Sequence, residues 1–256
     1  MRMKKAAIAD IVGFLNKTLR TRTIRDASMN GLQVRPRAGT EIKRVGFAVD
    51  ACLSTFEKAD RLAIDLLIVH HGIKWRPQKD RELERRRAAY LSKRNMALYA
   101  AHLPLDLHAE YGNNIQLCRL LGVREPRRFG RYHGIRIGYA GTLGKAAALD
   151  AVAKKLSGQL RSTCRVLGFG KDRVRSIGVI SGGGGSMLNE AREAGLDCFI
   201  VGEIDLAVYN AARDQRMNVI AAGHYATETV GVRALMRPVN KAFGVSTVFI
   251  DDPKDL

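Results

Sequence analysis

The chain has 256 residues, 46% of them hydrophobic, enough for one large globular domain or two ordinary ones with a sizeable core. No apolar run approaches the ~20 residues that span a bilayer, which excludes a helical membrane-spanning class; no membrane partner is expected. The formal charge of +18 and pI of 10.2 would attract nucleotides, RNA or DNA over a long range, and a solvated basic surface is the plainer account.

In chain order, Met1 to Lys5 has the look of a signal-peptide start. The stretch that follows contains Asp10, Asn16 and Lys17, and Ile8, Ile11, Val12, Leu15 and Leu19 fall at helical spacing. This predicts an amphipathic first helix rather than an export signal. Asn30-Gly31-Leu32-Gln33 reads as a turn with a polar contact to a site. Strand-like runs then cover 44–49, 66–70, 96–101, 135–140, 176–180, 197–201, 218–222 and 246–250, with helix-like runs between most of them. The alternation predicts an α/β fold with at least partly parallel sheets. Two basic clusters stand out. Lys79 to Arg87, interleaved with Glu82 and Glu84, reads as an exposed helix; Arg124 to Arg136 concentrates Arg127, Arg128, Arg131, Tyr132 and His133 but lacks the aromatic content of a recognised RNA-binding motif. Cys52, Cys118, Cys164 and Cys198 are scattered with no C-x-x-C, so reduced thiols and a cytoplasmic location are expected, with Cys198 in the core.

The sequence also repeats itself. Residues 45–71 align without a gap on 177–203, matching Gly46 with Gly178, Ser54 with Ser186, Ala59 with Ala191, Asp65 with Asp197, Ile68 with Ile200 and Val69 with Val201. His70-His71 falls opposite Gly202-Glu203. Further on, Leu98-Tyr-Ala-Ala-His102 matches Ile220-Ala-Ala-Gly-His224, and Asp106 matches Glu228. Two related halves would each present residues at the carboxyl ends of strands, where open α/β sheets place their ligands.

His70 and His71 close the apolar run Leu66 to Val69 and precede Gly72. Neighbouring strand residues point to opposite faces, so two adjacent imidazoles reach one point only where the strand ends and bends. His102 and His224 also close apolar runs, each with a carboxylate four residues on, Asp106 and Glu228. A lone histidine is ordinarily a satisfied polar residue. His70, His71, Asp106, His224 and Glu228 at matching strand ends instead suggest a metal cluster bridged by carboxylates, with Fe, Mn, Zn or Co all suited to the donors. His102 reads as a neighbour of the cluster or a proton shuttle. His108 and His133 lack the strand-end context and read as loop or surface residues. Gly182 to Gly185 would cradle a phosphate at a helix start near Ser186, Gly183 and Gly184 above all, or would simply form a tight loop; it is not a Walker motif. Trp75, the only tryptophan, would stack on a base with Lys74 on a phosphate, or pack at a site rim. No G-x-S-x-G or nucleophilic-cysteine signature supports acyl chemistry, so activated water acting on a carbonyl, ring carbon or phosphoryl group is the chemistry indicated.

Asn30-Gly-Leu-Gln-Val34, Leu67-Ile-Val-His-His-Gly-Ile-Lys-Trp75, Ala101-His-Leu-Pro-Leu-Asp106, Gly112-Asn-Asn114, Val201-Gly-Glu203 and Ala221-Ala-Gly-His-Tyr-Ala-Thr-Glu228 together resemble the family called GTP cyclohydrolase I type 2, or Ngg-interacting-factor-three-like. The resemblance spans nearly the whole chain. It implies two divalent ions on His70, His71, Asp106, His224 and Glu228, with His102 or Glu203 moving protons. It implies two interlocked, pseudo-duplicated α/β domains with mixed sheets flanked by helices, here in a short form without an inserted domain. The domains are expected at 1–126 plus 218–256 and at 127–217. It also implies a toroidal homohexamer, a trimer of dimers. A metal-dependent hydrolase of a purine nucleotide, opening the GTP imidazole ring, is the leading functional expectation. A non-catalytic metal-handling or regulatory protein with a nucleic-acid surface, and a phosphoester hydrolase, are the competing ones. Ser28-Met29 and Leu103-Pro104 depart from the family pattern and bear on pocket contacts, not on the ligands.

Overall fold

Short apolar runs bounded by glycine, asparagine and aspartate make strands, and the amphipathic stretches between them make the helices that cover the strands. The computed structural model describes residues 5–39, 41–78 and 80–254; residues 1–4 and Lys79, the first residue of one basic cluster, lie outside them. The chain divides into two units. The first takes the chain up to Leu105 and again Val232–Asp252; the second takes Asp106–Gly231 and the residues from Pro253. These bounds differ from those expected above, because the strand Asn218–Ala221 pairs with Cys198–Val201 in the second unit's sheet.

The first unit is built on a five-stranded sheet in the order Ser246–Phe249, Arg44–Asp50, Leu66–His71, Ala97–Ala100, Gly31–Val34. The first four strands are parallel and the last is antiparallel to its neighbour. Gly31–Val34 is therefore an edge strand, not the turn its Asn-Gly pair suggested; Gly31 adopts φ +109 and begins pairing at once with Ala100. Helix Ile8–Leu19 buries Ile8, Ile11, Leu15 and Leu19, the stripe its periodicity predicted, and ends at Arg20 in the left-handed region. The basic helix Arg81–Lys93 is capped by Asp80, which accepts from the Leu83 N–H, and buries only Leu91, as an exposed helix should.

The second unit has a six-stranded mixed sheet, in the order Arg124–Tyr132, Ile135–Ala148, Arg173–Ile180, Cys198–Val201, Asn218–Ala221, Arg165–Leu167. The basic cluster thus forms an antiparallel hairpin at a sheet edge. The duplication is legible residue by residue. Val45 to Ala48 pair with Leu66 to Val69 in the first unit; Ile177 to Ile180 pair with Cys198 to Val201 in the second, at the same offset. Asp65 Oδ2 accepts from the N–H groups of Lys43 and Arg44, and Asp197 Oδ2 from those of Arg175 and Ser176. A side chain on Gly46 would meet Ile64, and one on Gly178 would meet the corresponding Leu196.

The repeat reaches further than the sequence comparison did. Helix Leu149–Leu160 matches Ile8–Leu19 in length, in its Ala N-cap and in its left-handed Arg C-cap, and each leads into an antiparallel edge strand. One correction follows for the third strand. Val69 pairs with Ala100 and Val201 with Ala221, so Leu98 corresponds to Val219 rather than to Ile220. Gly223, at φ +89, is the extra residue that brings His224 one step later than His102. Among the described residues no helix is long and apolar enough to cross a membrane.

Candidate metal-binding residues in the two units

In the first unit the strand Leu66–His71 delivers both of its terminal imidazoles to one end. His70 is fully buried, and its Nδ1 lies 3.0 Å from the Ala101 carbonyl oxygen. His71 Nδ1 lies 2.8 Å from Asp50 Oδ1, on the neighbouring strand and in register with it. His102, just past the next strand, places Nδ1 3.0 Å from Asp26 Oδ1. Each partner is an acceptor, so the proton sits on Nδ1 and Nε2 becomes the basic nitrogen of each ring. The three rings offer ligand atoms within 4.8 Å of one another. An imidazole whose far nitrogen is anchored on a carbonyl or carboxylate is the usual form of a metal-ligating histidine. His102 shares that form with the pair.

Asp26 and Asp50 were not singled out in the sequence. Asp50 closes the strand beside His71, a position that a register comparison reveals. Asp26 lies in irregular chain far from His102 in sequence, where no periodicity marks it. Its carboxylate accepts from the Ser28 and Leu103 N–H groups and from Asn30 Nδ2 as well as from His102. Burial pulls the Asp26 carboxyl up, but the hydrogen bond and charge of His102, then Asn30 and Ser28, outweigh it and hold it below its ordinary value.

Gln33 makes the expected polar contact. Its Oε1 accepts from the Ile73 N–H at 2.7 Å and the Lys74 N–H at 3.1 Å, fixing the bend after His71. A Cβ on Gly72 would overlap Gln33 and Ala100, so only glycine fits there. Trp75 donates its indole N–H to the Gly72 carbonyl at 2.8 Å and lies edge-on to His102 at 5.1 Å, the contacts of a packing residue beside the histidines. Lys74 is half-buried on the same loop.

In the second unit Asp106 is buried, and its Oδ1 accepts from Asn113 Nδ2 at 2.8 Å and Ser181 Oγ at 3.1 Å. His224 opens helix His224–Phe243, so His224 and Glu228 share one face, with Nε2 3.2 Å from Glu228 Oε1. His224 Nδ1 is 3.1 Å from Glu203 Oε1. Hydrogen bonding to Glu228, offset by burial and reinforced by the two carboxylate charges, pushes His224 up to about 9. Glu228 is buried and Glu203 half-exposed. Gly182 adopts φ +63, and a Cβ there would overlap Glu228 Oε1, so the glycine is what lets the loop close over this carboxylate.

Gly184 and Gly185 are buried in a short 3-10 turn, Gly184–Met187; a side chain on Gly184 would run into Ile180 and one on Gly185 would crowd Val208. Those contacts account for these two by packing. Gly183 is exposed, with Glu203 Oε1 3.5 Å from where its Cβ would be. His133 is an exposed turn residue, and His108 stacks on Tyr111 in a loop with its Nδ1 accepting from the Glu110 and Tyr111 N–H groups.

Residues 6–255 match the family model described as Duf34/NIF3 (NGG1p interacting factor 3). The chain belongs to this family. Among Duf34/NIF3 relatives, a protein of Pyrococcus abyssi named GTP cyclohydrolase 1 type 2 homolog is 45% identical over 96% of this chain and 98% of its own. One of the same name from Archaeoglobus fulgidus is 41% identical over 97% and 99%. Among solved structures, the protein TTHA1606 of Thermus thermophilus superposes with a TM-score of 0.87 at 34% identity, covering 98% of this chain and 100% of that one. Reduced HcgD of Methanocaldococcus jannaschii gives 0.85 at 21% identity over 98% and 100%, and shares the fold. The mixed α/β architecture is thus the NIF3 one, and the donor set described above is that of this chain's own residues.

Proposed function

We propose that this Duf34/NIF3 protein is a metal-dependent hydrolase acting on a purine nucleotide, with a pair of divalent ions held by His70, His71, Asp106, His224 and Glu228. The reading rests above all on the three imidazoles of the first unit, each with Nδ1 committed to an acceptor and with ligand atoms converging within 4.8 Å. The second unit adds the buried carboxylates of Asp106 and Glu228 and a further imidazole. This nitrogen and oxygen donor set suits Fe, Mn, Zn or Co. When bound, such ions lower the pKa of a water and polarise the atom it attacks.

The chain's own groups would do the rest. His102, oriented by Asp26, presents Nε2 as a proton acceptor. Glu203 holds His224 through Nδ1 and exchanges protons with solvent from its half-exposed position. Lys74 would meet a substrate phosphate, Trp75 a base, and Gly183 and Gly184 would border the phosphate. The name that the relatives carry supports the nucleotide assignment. Assembly is proposed as a homohexameric ring, a trimer of dimers, in the cytoplasm.

The test is metal content per chain together with GTP turnover, on protein purified without a histidine tag. Wild type should carry about two ions per chain, and His70→Ala/His71→Ala should lose both metal and turnover. Stoichiometric metal without turnover would move the substrate away from GTP. No metal after reconstitution would sink the reading.

A further inference from the structure

The hairpin of Arg124–Tyr132 and Ile135–Ala148 lies at the edge of the second unit's sheet and carries an arrangement that folding alone disfavours. Arg131 and Arg136 are paired directly across the two strands. Like charges so opposed destabilise a strand pair. Both are exposed, and among the described residues neither has a carboxylate side chain within ion-pair distance. Arg127, four residues back and about 13 Å along the strand, is likewise exposed and unpaired. Arg128 is different: its guanidinium lies over the Tyr139 ring at 4.6 Å and donates to the Leu107 carbonyl, so it is bound into the fold. The turn residues His133 and Gly134 have φ of 46 and 85, a two-residue hairpin turn that fixes the tip. There Tyr132 is 40% exposed, with the His133 ring edge-on at 4.3 Å.

We propose that this hairpin is a binding surface for single-stranded nucleic acid. A phosphate between Arg131 and Arg136 converts their repulsion into a shared charge-assisted contact. Arg127 takes a neighbouring phosphate, and Tyr132 offers its face to a base. The exposed ring favours a single strand, because duplex bases are already stacked on one another. Charges on an edge strand also discourage sheet-to-sheet pairing. That role explains the arginines but neither their direct opposition nor the exposed tyrosine beside them.

The test is fluorescence anisotropy of the full chain with a labelled oligouridylate of about 20 nucleotides at about 0.15 M salt. Arg127→Gln/Arg131→Gln/Arg136→Gln should lose at least about tenfold in affinity and reduce the slope of log K against log salt by about 2, at about 0.7 per lost phosphate contact. Tyr132→Ala should cost at least about fivefold with the slope unchanged. A charge-matched control on the exposed helix, Arg81→Gln/Arg85→Gln/Arg86→Gln, should stay within about twofold of wild type. Absence of wild-type binding, equal losses in both triple variants, or a duplex competing as well as the single strand each overturns the proposal. Should the hairpin triple variant melt early, Arg131→Gln and Tyr132→Ala singly make the same comparison.

Discussion

Single residues decide whether the candidate ligands are held ready or merely nearby. Gly182 has a left-handed backbone and no room for a side chain against Glu228. Gly182→Ala should therefore destabilise by about 1–3 kcal/mol and cut metal uptake more than tenfold, read by thermal melting and metal analysis. Gln33→Ala would leave the buried Ile73 N–H without its acceptor and cost about 2 kcal/mol in urea unfolding; an unchanged midpoint would mean that the bend after His71 holds itself. His70 and His71 were legible in the sequence because two histidines closing an apolar strand serve no packing need. Asp26 was not, since a carboxylate gains its role from a contact 76 residues away, which no local pattern encodes. Asp197 adds a pH dependence. Burial raises its carboxyl, but Lys171, the Ser176 and Arg175 N–H groups and the Ser176 hydroxyl hold it well below the usual carboxylate value of 3.8. A depressed carboxylate contributes stability above its unfolded pKa and loses it as pH falls through the folded one. Asp197→Asn should thus cost about 2 kcal/mol near neutral pH, with the gap to wild type narrowing in acid below the ordinary carboxylate range.

At the scale of elements, the two units repeat one plan: helix, edge strand, strand, helix, strand, helix, strand. The middle of that plan was visible because strand identities survive at a fixed offset, Gly46 with Gly178 and Asp65 with Asp197, where a close approach and a capped pair of N–H groups tolerate no substitute. The opening helix and edge strand escaped notice because burial needs only an apolar stripe, and Ile, Leu, Val and Ala exchange freely in it. Leu15 and Leu156 hold corresponding, fully buried places in those helices. Leu15→Ala and Leu156→Ala should each cost about 3 kcal/mol; a much smaller loss for either would mean that its helix docks loosely. The long hairpin at Arg124–Ala148 was half seen, its basic strand hidden by arginines where a strand is ordinarily apolar or β-branched.

For the whole molecule, the formal charge of +18 is a burden of self-repulsion that salt relieves. Raising sodium chloride from about 0.02 M to about 0.3 M should shift the thermal midpoint upward, whereas an insensitive midpoint would mean that the positive charges are already locally compensated. The composition announced this excess but not its placement, which depends on which strands become edges. Asp252 is buried against Ser54, Thr55 and Lys58, accepting from all three, and Ser246–Phe249 completes the first unit's sheet beside Arg44–Asp50. A ribosome makes those late residues some 140 positions after Leu105, and the rest of that unit waits for them with one flank of strand Arg44–Asp50 uncovered. The second unit, continuous from Asp106 to Gly231 but for its last few residues, can form while the chain is still being made. The half with the three clustered histidines is therefore the half that finishes last, and its open strand edge is what a nascent-chain chaperone would meet.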